Sequence, residues 1–264
     1  MKIAVNAKEL IVDGACAFVP TMGALHAGHA SLIKKAREYS DTVVVSIFIN
    51  PLQFENKDDL AKYPRTPEFD IELASQAGAT HLWLPTVDEI YPGEVQKISA
   101  GALGDIYEGV KRPGHFDGVL TVVNRLFELV KPQWAIFGEK DFQQLTLIKS
   151  MKSDVEIIGA PTIRDTDGLA LSSRNVRLSD PKAALVIYRA LLAASNEKSI
   201  DSAREVMRGA LASEAAFTLD YAEIINESNF EKASPNDANK RAIIAGWVNG
   251  IRLIDNMPMN GGAQ

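Results

Sequence analysis

The sequence predicts an α/β protein in two parts, a parallel sheet layered with helices followed by a smaller α+β domain. Three observations carry that reading. Short apolar, β-branched runs alternate with helix-length amphipathic stretches up to about residue 160, the rhythm of successive βαβ units. Near Pro161 the alternation stops, and two helical stretches follow one another. Closer to the C-terminus an Asn-Gly pair joins two apolar runs, a strong hairpin signal.

Ala17 to Pro20 reads as a strand, and His29 to Tyr39 as a helix with Leu32, Ile33 and Ala36 on one face. Val43 to Ile49 is almost wholly apolar and β-branched, as suits a strand covered on both sides. Phe69 to Ala77 is helical, His81 to Leu84 extended and Gly118 to Val130 helical. Trp134 to Phe137 and Val155 to Ile158 are extended, with Phe142 to Lys152 helical between them. The second part opens with helices Pro181 to Ser195 and Asp201 to Glu214, which Ser179 and Ser199 are placed to cap. Thr218 to Ile225 follows, then strands Arg241 to Val248 and Ile251 to Asp255 around a type I′ turn at Asn249-Gly250. A hinge within residues 160–166 divides the chain into domains 1–163 and 164–264. Residues 260–264 are expected to fray.

Composition narrows the function. The 264 residues are 46% hydrophobic, ample for a core, and carry a net charge of −6, which argues against a polynucleotide or an acidic membrane as partner. The single cysteine, Cys16, lies in an apolar run and reads as a buried small residue. No segment has the roughly 18 uninterrupted apolar residues of a membrane span, and the opening MKIAVNAKEL lacks the apolar stretch of a signal peptide. The expected location is cytoplasmic.

The most specific motif is Pro20-Thr21-Met22-Gly23-Ala24-Leu25-His26-Ala27-Gly28-His29, where the first predicted strand hands over to the first helix. In an open parallel sheet that is the end where ligands bind. A helix start offers unpaired N–H groups and the positive end of the dipole to a phosphate. Gly23 and Gly28 let backbone approach a ligand closely. His26 and His29, three apart, fall on one helix face and can donate to phosphate oxygens. A zinc site is a poor alternative, since it wants about four ligands and no Cys/His cluster lies nearby.

Two further stretches fit the same chemistry. Phe137-Gly138-Glu139-Lys140-Asp141 again runs from strand end to helix, with Lys140 able to reach phosphates and Asp141 able to cap the helix or hold a ribose hydroxyl. Arg164-Asp165-Thr166-Asp167-Gly168-Leu169-Ala170-Leu171-Ser172-Ser173-Arg174-Asn175 offers two hydroxyls and a guanidinium that can clamp a polyphosphate. Either alone would be an ordinary solvated loop; three in order at the ends of α/β units point to a nucleotide site.

His-x-Gly-His after a strand and glycine turn resembles the signature of the nucleotidylyltransferase superfamily and class I aminoacyl-tRNA synthetases, and Leu-Ser-Ser-Arg resembles the latter's mobile loop. The segments PTMGALHAGH, VVVSIFINPLQF, DLAKYPRTPEFD, RPGHFDGVLTVV, FGEKDFQQL, DGLALSSRN and RLIDN together resemble pantothenate synthetases (pantoate–β-alanine ligases) over nearly the whole chain. The resemblance implies a Rossmann-like, doubly wound sheet, a C-terminal lid domain and a homodimer. It implies that ATP and pantoate form pantoyl-adenylate and pyrophosphate, after which β-alanine displaces AMP. It assigns ATP contacts to Met22, Gly23, Ala24, Leu25, His26, Ala27, Gly28 and His29, to Gly138, Glu139, Lys140 and Asp141, to Ile163, and to Leu171, Ser172, Ser173 and Arg174. His29 would be catalytic, with His26, Lys140 and Arg174 supporting the charged transition state. Gln53 and Gln144 would hold pantoate; Asp70 would contact Mg2+, the alternative being a metal held chiefly by the ATP phosphates. The segment before Cys16 is shorter than usual for that family, and Phe69 stands where some members have an acid. Two rival readings are a nucleotidylyltransferase acting on a phosphorylated acceptor and a catalytically silent nucleotide-binding module.

Overall fold

The computed structural model describes residues 1–54 and 57–259. The chain forms two compact units: Met1–Glu139 with Gln143–Pro161, and Lys140–Phe142 with the chain from Thr162 onward. No described helix is long and apolar enough to cross a membrane.

The first unit holds six parallel strands: β1 (Lys2–Ala4), β2 (Ala17–Thr21), β3 (Val43–Ile47), β4 (His81–Trp83), β5 (Trp134–Gly138) and β6 (Glu156–Ala160). Their order is β1-β4-β3-β2-β5-β6. Helices α1 (Ala27–Arg37), α2 (Lys57–Ala61), α3 (Pro67–Ala77), α4 (Val87–Ile90), α5 (Glu108–Lys111), α6 (His115–Val130) and α7 (Phe142–Lys149) connect them. Side chains alternate across the sheet as the pleat demands. Ala17, Val19, Val43 and Val45 face a core shared with Ile33 and Ala36 of α1 and Ala74 of α3. Phe18, on the opposite face, meets Phe127 of α6 edge to face at 6.5 Å between ring centres. Helices therefore cover both faces: the parallel α/β sheet expected from the alternation is formed, in the doubly wound arrangement that the resemblance implied.

The second unit packs α8 (Pro181–Ser195) and α9 (Ile200–Ala212) on an antiparallel sheet of β7 (Phe217–Asn226), β8 (Lys240–Val248) and β9 (Ile251–Pro258). Ile187, Leu191 and Met207 from the helices share one core with Ile224, Ala242 and Ile244 from the strands. Asn249 and Gly250 turn β8 into β9 with φ of 49° and 78°, both positive as a type I′ turn requires.

Local chemistry moved several boundaries. Asp180, not Ser179, caps α8: Pro181 takes the first helical position, so the capping oxygen comes from the residue before it, at 3.0 Å from the Lys182 N–H. The Ser179 hydroxyl instead accepts from the Asn249 amide at 3.2 Å. Ser199 does cap α9, accepting from the Ser202 N–H at 3.0 Å. Helix α7 stops at Lys149, where the Ser150 hydroxyl bonds back to the Leu147 carbonyl, and a 3-10 turn, Glu139–Asp141, precedes it. Strand β3 ends at Ile47 rather than Ile49. The short edge strand β1 has no counterpart in the sequence-based expectation. Residues 260–264, expected to fray, lie outside the described residues.

Candidate active site

The strand order reverses between β2 and β5, the topological switch point where open α/β sheets bind ligands. These two strands pair only at Ala17↔Trp134 and Phe18↔Ala135, although each continues for three more residues. Beyond Phe18 and Ala135 no ladder joins their carboxyl ends. Met22 to His29 leave the end of β2, and Gly138 and Glu139 the end of β5.

A strained turn joins β2 to α1. Gly23 and Ala24 both take left-handed conformations, φ 82° and 51°, and alanine pays for that with Cβ crowding. Asp70 of α3 holds the turn closed. Its buried carboxylate accepts the Ala24 N–H at 3.0 Å, the Leu25 N–H at 2.7 Å and the Thr66 hydroxyl at 2.9 Å. A Cβ on Gly23 would sit 3.0 Å from Asp70 Oδ2. Both oxygens that the resemblance assigned to magnesium are thus engaged by the turn. Among the described residues no group of three or more His, Cys, Asp or Glu could hold a metal ion, so any magnesium here would take most of its ligands from phosphate and water.

The two motif histidines close the helix start rather than simply sharing a helix face. His26 is the N-cap, and its Nδ1 accepts the Gly28 N–H at 3.1 Å. His29 sits at N3, and its Nδ1 accepts the His26 N–H at 3.2 Å. Their ring centres lie 4.1 Å apart. This is a capping box built from imidazoles. Because each Nδ1 accepts, a neutral ring carries its proton on Nε2. Two Nε2–H donors therefore stand at the amino end of α1, where the helix dipole favours an anion.

Gln53 lies buried in a 3-10 turn, Pro51–Gln53, capped by Asn50. The Asn50 amide donates to Gln53 Oε1 at 3.1 Å and to the Gly118 carbonyl at 3.0 Å, while Asn50 Oδ1 accepts the Tyr91 hydroxyl at 2.8 Å. Burial pushes the Tyr91 hydroxyl above its ordinary pKa, which keeps it a donor. The chain of bonds fixes the sense of the Gln53 amide: its oxygen is taken by Asn50, and its Nε2 lies 3.0 Å from Met22 Sδ. Gln53 consequently presents a donor. His115 Nδ1 donates to the Gln53 carbonyl at 2.9 Å, which leaves Nε2 to accept from Arg112 at 3.0 Å. Gln144 is half-buried on α7, beside the fully engaged Gln143.

The remaining predicted residues belong to the second unit. The Leu171 N–H donates to the Ile163 carbonyl at 2.9 Å, closing a hairpin whose tip, Asp165–Gly168, is a tight turn. Beyond it, Ser172 Oγ accepts the Arg174 N–H at 3.3 Å, and Asn175 ties back to the Ala170 carbonyl at 3.0 Å. Lys140, Ser172 and Arg174 line one pocket together with Asn175, Tyr188 and Arg252. The resemblance assigned the first three of these to ATP; no spacing rule in the sequence brings Lys140 beside residues so far along the chain. Asp141 closes the 3-10 turn, and α7 begins only at Phe142.

Residues 2–258 match the family profile of pantoate–β-alanine ligase. A pantothenate synthetase from Acidothermus cellulolyticus is 46% identical over 273 residues, covering 96% of this chain and 88% of the relative. The crystal structure of pantothenate synthetase from Thermus thermophilus superposes with a TM-score of 0.93 at 42% identity, covering 98% of this chain and 99% of that one. The pantoate–β-alanine ligase from Francisella tularensis, whose structure is a complex with β-γ ATP and β-alanine, superposes at 0.80 with 36% identity and 98% coverage of both chains. The chain belongs to the pantoate–β-alanine ligase family.

Within that family frame, sequence reasoning missed Asn50, Tyr91, Arg112 and His115. Asn before Pro51 is a recognisable cap and could have drawn attention to Asn50. No local signal marks Tyr91, which lies 41 positions from its partner.

Proposed function

We propose that the protein condenses pantoate with β-alanine to form pantothenate, with ATP as the activating substrate. A pantoate carboxylate oxygen attacks the α-phosphorus in line, and the bond to pyrophosphate breaks. The β-alanine amine then attacks the acyl carbon, the C–O bond to AMP breaks, and a proton is released. No protein nucleophile is needed, because the carboxylate already is one. The work left to the protein is to orient two anions and to neutralise charge spreading over phosphate oxygens.

The observation that carries the reading is the imidazole capping box at the strand-order reversal. Its two Nε2–H donors suit a phosphate, and the family match names the reaction. We assign His26 and His29 to the phosphates with the backbone of Met22 to Gly28, and Gly138 and Glu139, at the neighbouring strand end, to ATP as well. Lys140, Asp141, Ile163, Leu171, Ser172, Ser173 and Arg174 are assigned to the same nucleotide by their motifs. Gln53 donates to a pantoate oxygen, and Gln144 is the second pantoate residue. Magnesium enters on the phosphates of ATP, which suits an ion that keeps most of its ligands as water and phosphate. The resemblance further implies a homodimer, and the sequence reading places it in the cytoplasm.

Stepwise chemistry is testable without the second substrate. Pantoate should support exchange of labelled pyrophosphate into ATP in the absence of β-alanine. Exchange that strictly required β-alanine would refute a free-standing adenylate.

A further inference from the structure

Lys140 carries one of the charges assigned above, yet its position is set from a strand more than a hundred residues away. The Asn256 side-chain amide donates to the Lys140 carbonyl at 2.8 Å. Asn256 is itself held from the other end: its Oδ1 accepts Arg241 Nη1 at 2.6 Å. Arg241 is buried, pairs through Nε with Glu227 at 2.7 Å and lies over the Phe142 ring at 3.8 Å. Phe142 in turn stacks on buried Phe230, 5.5 Å between centres. Residues 140–142 are thereby clamped at both ends, by an amide on the lysine's own carbonyl and by a guanidinium on the phenylalanine. The clamp explains why these three residues group with the second unit while their flanks do not.

The neighbouring position on β9 does the same for the hairpin. Asp255 takes Arg164 in a bidentate pair, 2.5 and 3.0 Å, and Arg164 also donates to the Gly168 carbonyl at 3.1 Å and lies over the Tyr188 ring at 4.9 Å. Consecutive residues of one strand thus hold the Lys140 backbone and the hairpin that precedes Ser172 and Arg174. Asp255 braces a backbone hairpin, whereas Asn256 bears directly on the residue that carries the charge.

We infer that Asn256 is a positioning residue for Lys140, fixing through its amide donor where the ammonium group meets the nucleotide. The inference rests on the assignment of Lys140 to ATP. An amide suits the place because it must accept from a guanidinium and donate to a carbonyl at once. Aspartate would keep the first bond and set a carboxylate oxygen against the Lys140 carbonyl, so Asn256→Asp removes the donor and leaves the Arg241 anchor.

The test is a double-mutant cycle on pantothenate formation with Lys140→Ala, Asn256→Asp, Asn256→Ala and the combinations. Asn256→Asp and Asn256→Ala should each lower kcat by about tenfold to a hundredfold, the scale of a misplacement near 1 Å. KM for pantoate and β-alanine should stay within about twofold, and in the Lys140→Ala background either substitution should add almost nothing. Losses that multiply in full, or a normal kcat in Asn256→Asp, overturn the positioning role. Normal turnover by Lys140→Ala overturns the assignment of Lys140 itself, and the inference with it. Should Asn256→Ala not fold, Asn256→Asp, which keeps size and the Arg241 contact, carries the test.

Discussion

At the scale of single residues, the site works by taking away choices of proton and rotamer. Imidazole can donate from either nitrogen, but at His26 and His29 one nitrogen of each is committed to a backbone N–H, so the remaining one is the donor. Gln53 is treated alike: a glutamine amide could present either end, and Asn50 decides which. His29→Ala should therefore remove both the proposed phosphate donor and half of a helix cap. Loss of one such donor costs about 2.7–4 kcal/mol, or roughly 10²–10³ in turnover. Steady-state kinetics beside a melting curve separates the two effects, since the cap alone accounts for about 1 kcal/mol of stability. A variant that loses stability but keeps its turnover would return His29 to a purely structural role.

At the scale of elements, close approach of backbone fixes the turn that carries Gln53, proposed to meet pantoate. Helix α6 meets the turn that carries Gln53 at Gly118, where an added Cβ would lie 2.3 Å from the Leu52 carbonyl oxygen and 2.8 Å from the Gln53 nitrogen. Nothing flexible is there to yield. Gly118→Ala should push the turn away from α6, break the Asn50 bond to the Gly118 carbonyl and release Gln53. Overpacking of this kind costs about 1–3 kcal/mol. The expected outcome is a raised KM for pantoate with KM for ATP little changed. An equal rise for both substrates would show that the turn does not serve pantoate in particular.

At the scale of the whole molecule, the second unit depends on charges held inside its sheet. Glu223 on β7 is buried, and burial alone would raise its pKa. The Arg204 guanidinium at 2.6 Å, the Ile224 N–H at 3.0 Å and the charge of Lys232 outweigh that and hold the carboxyl below its ordinary value. A carboxyl depressed by folding adds stability above its unfolded pKa and loses it as pH falls through the folded one. Glu223→Gln should thus cost about 1–3 kcal/mol in urea unfolding at pH 7. As the pH falls below the ordinary carboxylate range, the gap from the parent protein should narrow as Glu223 takes up its proton. A gap that stayed constant with pH would mean packing, rather than charge, is what the substitution disturbs.

Much of this organisation is legible along the chain. The parallel sheet followed from alternating apolar runs, and the β8–β9 hairpin from Asn249-Gly250, because those signals arise from neighbours in sequence. The histidine motif was legible for the same reason: strand, glycine turn and helix start are contiguous, and the chemistry of a helix amino end needs nothing from elsewhere. What the histidines do with their Nδ1 atoms was not legible, since a cap and a helix face share the same spacing. Only tertiary structure made Asp70 a brace for the Gly23–Ala24 turn, because its bonds span 45 and 46 positions. Likewise it joined Tyr91 to Asn50 and Asn256 to Lys140, pairings made by folding distant segments together, which no local spacing announces. Local periodicity determines which elements form; which amide faces which carbonyl is decided when those elements pack, where a buried polar group must find a partner or cost free energy.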